Sequence, residues 1–245
     1  MKKATQTEDE FLESYDPDKF EHPSVSVDIA VLTAEEGSLH AVVTRRDRHP
    51  CKDHWALPGA FVGMNESLRD AARRALREKT GITDVWLEQL YTFGNPQRDP
   101  RTRVISITYY ALVDAMRLRS MFNKGSQLAP IDVPWAGETG GAVHLVGSDG
   151  PRPMAFDHAD ILGLAVRRIR GKLNYSAIGF QLLPPSFTLR RLQEVHETIL
   201  GRGVNKDSFR RRLLASGDLE ATGEREADVG HRPAELYRFV RRSAI

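Results

Sequence analysis

Residues 57–82, LPGAFVGMNESLRDAARRALREKTGI, constrain this chain more than any other stretch. A glycine-bearing loop runs into Ser67, a good N-cap, with Asp70 three residues on as the partner of a capping box. Gly81 supplies the left-handed stop. The spacing predicts a helix over 67–80 with Leu68, Ala72, Ala75 and Leu76 packed inward. Positions 75, 78 and 79 share one helical face, where carboxylates at that spacing could share a hard divalent cation. The residues present are Ala75, Glu78 and Lys79. One carboxylate beside a fixed ammonium is a poor metal site. Without metal, neither charge neutralisation nor water activation is available to phosphoryl chemistry. No catalytic residue, metal or cofactor is therefore expected, whereas Lys79 is compatible with an anionic ligand.

The flanks read as sheet. SVSVDIAVL (24–32) alternates as a half-buried strand does, and LHAVVTRR (39–46) follows a turn as its hairpin partner. Further strands are expected over 85–93 and 103–113. Residues 118–155, rich in Gly, Pro and Ser, read as irregular connections with a short strand among them. FDHADILGLAVRRIR then forms a helix capped by Asp157. The 245 residues, 40% apolar and 28% charged, suffice for one large or two ordinary domains. No apolar run reaches membrane-spanning length, and the charged start MKKATQTEDEFLESYDPDKFEHP is unlike a secretory leader. Cys51 stands alone, which leaves no intramolecular disulfide framework. The reducing cytoplasm is the expected compartment.

The last third changes character. Residues 172–245 hold 13 Lys+Arg and 9 Asp+Glu, so their net charge is +4 against −2 for the rest of the chain. FTLRRLQEVHETILG places Leu189, Leu192, Val195 and Ile199 at the spacing of one buried helix face. Asn205 caps a second helix over 206–215, in which Phe209 and Leu213 face the first. At 100° per residue Arg211 points about 200° from Phe209. Ser208 shares that outward side, and Arg210 and Arg212 flank it. Lys206 opposes the helix dipole, a small cost that a phosphate contact offsets. LEATGERE and AELYRFV then read as two strands whose tip holds His231 and Arg232. Helix, helix and hairpin make a winged helix whose arginines suit base edges and phosphates. The plain alternative is a solvated charged face on a domain that contacts proteins.

Residues 57–82 resemble the Nudix box, with Glu66, Arg74, Leu76, Glu78, Gly81 and Ile82 in register and departures at Ala60, Ala75 and Lys79. Together with LYTFGNPQRDPRTRVISITYYALV, AFDHADIL, KLNYSAIGFQLLPPSFTLRRLQEVHETILGRGVNKDSFRRRLL and HRPAELYRF, the chain resembles the Nudix-related transcriptional regulators of NAD metabolism, the NrtR family. The resemblance implies an α/β fold: a Nudix α/β/α sandwich with a mixed sheet, followed by a C-terminal winged helix-turn-helix domain. The expected division is a tail over 1–22, an effector-sensing domain over 23–171 and a DNA-binding domain over 172–245. It also implies a homodimeric repressor of NAD biosynthesis or salvage genes that binds palindromic double-stranded operator DNA and senses ADP-ribose or a related NAD derivative.

Candidate effector ligands are Arg45, Arg46, Arg98, Arg101 and Arg103, whose planar forks suit a pyrophosphate, with Lys79 beside them. Trp55 and Phe61 are candidates to stack on a base. Candidate DNA contacts are Lys206, Ser208, Arg210, Arg211, Arg212, His231 and Arg232. Glu66 and Glu78 read equally as groups bonded within the fold, Tyr109 and Tyr110 as ordinary strand residues, and His158 and His196 as structural. Two other functions stay open: an active ADP-ribose pyrophosphohydrolase whose basic tail only dimerises, and a regulator of the same build that answers to a sugar such as arabinose.

Overall fold

The computed structural model describes residues 6–240 apart from positions 124, 149, 174–176, 228, 229 and 231. The segment expected as a polar tail carries a short helix, α1 (Glu8–Ser14), closed by a capping box between Thr7 and Glu10 and burying no residue. The hairpin follows as β1 (Ser24–Glu35) and β2 (Ser38–Arg45), joined through Glu36 and Gly37 at φ 49° and 73°. Positive φ at both central residues matches the twist of the flanking strands.

Then come β3 (Trp55–Ala56), β4 (Gly59–Phe61), α2 (Leu68–Thr80), β5 (Glu88–Phe93) and β6 (Val104–Leu112). The region expected to hold irregular connections with one short strand has more regular structure: α3 (Ala115–Met121), β7 (Ser126–Asp132), β8 (His144–Gly147) and β9 (Gly150–Arg152). Pro130 and the three short strands hide the period-two signal there, although Ala129 and Ile131 keep it and are buried.

The strands form one mixed sheet in the order β5-β6-β1-β2-β7-β8-β9, with β3 on β2 and β4 on β1. β1 runs parallel to β6 and antiparallel to β2 and β4. The half-buried expectation for β1 is corrected: Ser26–Ala34 are all buried. Val27, Ile29 and Val31 pack under α2 and α3, while Ala30, Leu32 and Ala34 point into a second core on the opposite face. A central strand covered on both sides needs no solvent face.

Helix α2 buries Ala71, Ala72, Ala75, Leu76 and Thr80, and leaves Leu68 exposed, contrary to expectation. Gly81 closes it at φ 81°, its N–H on the Arg77 carbonyl. Only half of the expected capping box forms. The Ser67 hydroxyl accepts from the Asp70 N–H and donates to the Asp70 carboxylate, which therefore does not reach the N-cap backbone.

Helix α4 (His158–Lys172) lies on the face opposite α2, and Gly163 lets it approach closely: a Cβ there would sit 1.8 Å from the Gly141 carbonyl oxygen. After it come α5 (Leu189–Leu200), α6 (Lys206–Ser216), β10 (Leu219–Arg225) and β11 (Glu235–Phe239). The core under α4 continues without a break through Leu192, Val195 and Ile199 of α5 to Phe209 and Leu213 of α6. The β10–β11 hairpin is tied to this pair by reciprocal backbone bonds between Phe187 and Tyr237, 2.8 and 2.9 Å.

Candidate functional site

Two adjoining hollows, about 370 and 750 Å³, form one cleft where α2, β4, the 95–101 loop and the start of α4 meet. Its floor is Asp28 on β1. Gly59 lets β4 cross there, since a Cβ would lie 2.2 Å from the Asp28 carboxylate. Arg98, with only 5% of its side chain exposed, donates two bonds to Asp157 (2.8 and 2.7 Å) and one to Asp28 at 3.5 Å. Asp157 occupies the N-cap of α4 but makes no cap bond, because Arg98 holds its carboxylate. His158 accepts the Leu57 N–H on Nδ1 at 2.9 Å, which leaves Nε2 protonated and 3.7 Å from Asp28. Burial pushes the His158 pKa below its usual value, against the pull of Asp28 and Asp157.

The walls are cationic and aromatic. Arg46 stacks on Phe156 at 4.8 Å, and Arg101 lies between Phe61 (5.6 Å) and Phe156 (5.9 Å). Phe156 takes φ 53°, a strained conformation for a bulky residue and one typical of sites that the surroundings over-determine. Arg101 is paired to Asp99 through two bonds of 3.0 and 2.7 Å, and Arg45 to Asp53 at 3.1 Å. Arg46 gives its Nε–H to the Pro50 carbonyl at 2.9 Å. Lys79 lines both hollows.

Of the candidate effector ligands, the structure brings Arg45, Arg46, Phe61, Lys79, Arg98 and Arg101 to the cleft. Trp55 is not there: it packs against the larger core with Arg152 over its ring at 5.2 Å. Arg103 does not line either hollow; its Nη1 donates to the carbonyl of Val104, which does, at 3.5 Å. Ser26, Asp28, Asp99 and Phe156 line the cleft without having been singled out, and His158, expected as structural, lines it as well. The Ser26 hydroxyl is buried and has no hydrogen-bond partner among the described residues.

The box carboxylates are spent on the fold. Glu66 binds Arg74 at 2.6 and 3.0 Å and accepts the Gly63 N–H at 2.7 Å; these bonds hold its carboxyl at about 2. Glu78 meets the same Arg74 at 3.4 Å. Ala75 is fully buried in the smaller core. The donors left do not fit the octahedral oxygen shell of Mg²⁺, and no cluster of three His, Cys, Asp or Glu suited to a metal occurs among the described residues.

Acid sensitivity follows from these groups. His158 and His196 are both buried with lowered pKa values, so the unfolded chain binds more protons than the folded one as the pH drops below 6.5. Stability is expected to be full above that value and to fall below it. Glu66 adds a second loss between 4.5 and about 2. Urea unfolding across this range checks it: His196→Gln is expected to remove about half of the first slope.

At the other end of the molecule, α6 buries Phe209 and Leu213 and exposes Lys206, Ser208, Arg210, Arg211 and Arg212. Arg212 lies over the Phe209 ring at 5.7 Å. Lys206, Arg210 and Arg232 line a groove of about 1070 Å³ between α5, α6 and the hairpin, shared with Arg190 and Arg191. His231 lies outside the described residues. His196 donates Nδ1–H to the Leu192 carbonyl (2.9 Å) and meets Phe209 edge-on, so its role is structural.

Comparison with known proteins agrees at both ends. Residues 22–121 match the NUDIX domain and residues 179–239 the NrtR DNA-binding winged helix domain. The ADPR responsive transcriptional repressor NtrR of Acinetobacter baylyi is 36% identical over 238 residues, 96% of this chain and 89% of that protein. This chain belongs to the NrtR family. The structure of Shewanella oneidensis NrtR bound to a 27mer DNA superposes with a TM-score of 0.72 at 30% identity, covering 88% of this chain and 93% of the other. An ADP-ribose pyrophosphatase of Methanocaldococcus jannaschii is 35% identical over 88 residues, 36% of this chain and 50% of that enzyme. The NrtR relationship therefore spans both halves, and the enzyme relationship only the Nudix half. Among the described residues, no helix is long and apolar enough to cross a membrane.

Proposed function

We propose that this NrtR-family chain is an ADP-ribose-responsive transcriptional repressor of NAD biosynthesis or salvage genes, with residues 23–171 sensing the effector and 172–245 binding operator DNA. One observation carries the reading: a cationic, aromatic cleft with no metal cage shares a continuous apolar core with a helix that turns three arginines outward. The whole-length likeness to an ADPR responsive repressor supports it. Each chain offers one α6, so a homodimer in the cytoplasm would read a palindrome with half-sites about one helical turn, roughly 10 bp, apart. Arg211→Ala is expected to weaken specific binding by about 1–3 kcal/mol in gel-shift titration, as the loss of a base contact does; unchanged affinity removes Arg211 from the interface.

The cleft is a binding site without hydrolysis in this reading, because Glu66 and Glu78 serve Arg74 and positions 75 and 79 offer a methyl and an ammonium. Single-turnover assay of ADP-ribose with excess Mg²⁺ or Mn²⁺ is expected to return the ligand intact. Turnover abolished by Glu78→Gln would make the protein an enzyme instead. Thermal-shift comparison of ADP-ribose, NAD and pentoses separates a nucleotide sensor from a sugar sensor.

A further inference from the structure

Most of the charge lining the cleft is already neutralised. Arg98 answers Asp157 and Asp28, Arg101 answers Asp99, Arg74 answers Glu66 and Glu78, and Arg45 answers Asp53. Arg48 lies 3.8 Å from Asp47. Arg46 and Lys79 are the cations left with no carboxylate partner among the described residues, and both border both hollows. The surplus carboxylates are turned onto Arg98 and Arg74, which each meet two, so Arg46 and Lys79 are the cations whose donors remain available to the two negative charges of a diphosphate diester. Lys79 also stands at the helical position from which a carboxylate would hold a divalent cation, on a face whose other members, Ala75 and Glu78, are buried or engaged.

We propose that Lys79 replaces the divalent cation: its ammonium, with Arg46, holds the diphosphate of the ligand directly, so binding needs no metal. The inference rests on the effector reading above and adds to it the chemistry of the diphosphate subsite. A lysine ammonium is a compact point charge with three donors, the organic side chain nearest to a metal ion in what it offers phosphate oxygens. It differs in lacking a coordination sphere that polarises water, so the same substitution that retains the ligand removes the means of cleaving it. Ser26 adds a buried hydroxyl without a partner on the same wall.

The test is calorimetric titration of the full-length protein with ADP-ribose, and separately with inorganic pyrophosphate, in EDTA and in Mg²⁺. ADP-ribose is expected to bind with equal affinity in both, and Lys79→Gln to weaken it about tenfold to a hundredfold in EDTA. Lys79→Glu is expected to bind poorly in EDTA and to regain affinity with Mg²⁺, since it places a second carboxylate beside Glu78. Lys79 is exposed, so unchanged thermal unfolding of both variants certifies their fold. Binding of ADP-ribose that requires Mg²⁺, or that is indifferent to Lys79→Gln, overturns the proposal and leaves the effector reading intact. Pyrophosphate held through Lys79 while ADP-ribose is ignored does the reverse. Failure of both ligands to bind in either buffer overturns both.

Discussion

Replacing Arg98 with methionine is expected to cost about 3–5 kcal/mol of folding stability, the usual result of leaving buried charge without its partner. The arginine is almost wholly enclosed and is the cation bonded to both Asp157 and Asp28. Methionine fills much of the same volume, which isolates the electrostatic part. Two carboxylates would then face one another on the cleft floor, with Ser106 donating to Asp28 (2.5 Å) as partial relief. The start of α4 depends on the same contact, because Asp157 is held by Arg98 and not by its own helix. Urea unfolding of the Arg98→Met variant measures the loss, and the related Asp157→Asn, which keeps an acceptor for the guanidinium, is expected to lose markedly less. A deficit under about 1 kcal/mol for Arg98→Met, the scale of an ordinary surface change, would mean that the triad contributes little.

Arg170→Met is expected to cost roughly 3 kcal/mol and to loosen the DNA-binding half from the sensor. Arg170 is buried in the last turn of α4 and has no carboxylate partner among the described residues. Its Nε donates to the Ile199 carbonyl at 2.7 Å and its Nη1 to the Trp135 and Gly137 carbonyls at 3.2 and 3.0 Å, with the Trp135 ring 4.8 Å away. Ile199 lies at the C-terminal end of α5, where unpaired carbonyls and the helix dipole both favour a cation. Loss of the guanidinium leaves three carbonyls without these donors. α4 begins at His158, directly after Phe156 and its N-cap Asp157 at the cleft, and carries Arg170 at its α5 end, so it is a continuous element between the cleft and α5. The variant is expected to retain ADP-ribose affinity while its operator affinity responds less to the ligand. An unaltered response in gel-shift titration would separate α4 from the coupling.

Much of the architecture was legible from residue order. The capped helix, the two-residue hairpin turn and the spacing of Leu189, Leu192, Val195 and Ile199 are local signals, and each appears in the structure. β7, β8 and β9 were not legible because short strands interrupted by Pro and Gly lack the period that betrays a longer one. The cleft was half legible. Arginines clustered near one another are visible in a string, but whether a guanidinium is free or spent depends on a carboxylate far along the chain. Arg98 and Asp157 are 59 residues apart. Asp28 carries a signal in the sequence itself: it is a charge beside the apolar run Ile29–Leu32, and a buried charge needs a partner or a purpose. Trp55 shows the opposite case, since residue type suits it to a ligand while its strand packs it against the larger core.

In the proposed function one chain couples a metal-free nucleotide site to a DNA-reading helix. The most direct measurement is fluorescence anisotropy of a labelled duplex, chosen by selection against the full-length protein, with ADP-ribose titrated in the presence of EDTA. The duplex is expected to be released as ADP-ribose saturates the cleft, with ADP-ribose intact at the end of the titration and release shifted to higher ligand concentration by Lys79→Gln. Anisotropy that stays constant at saturating ADP-ribose, or a protein that binds no duplex even at low salt, would contradict it.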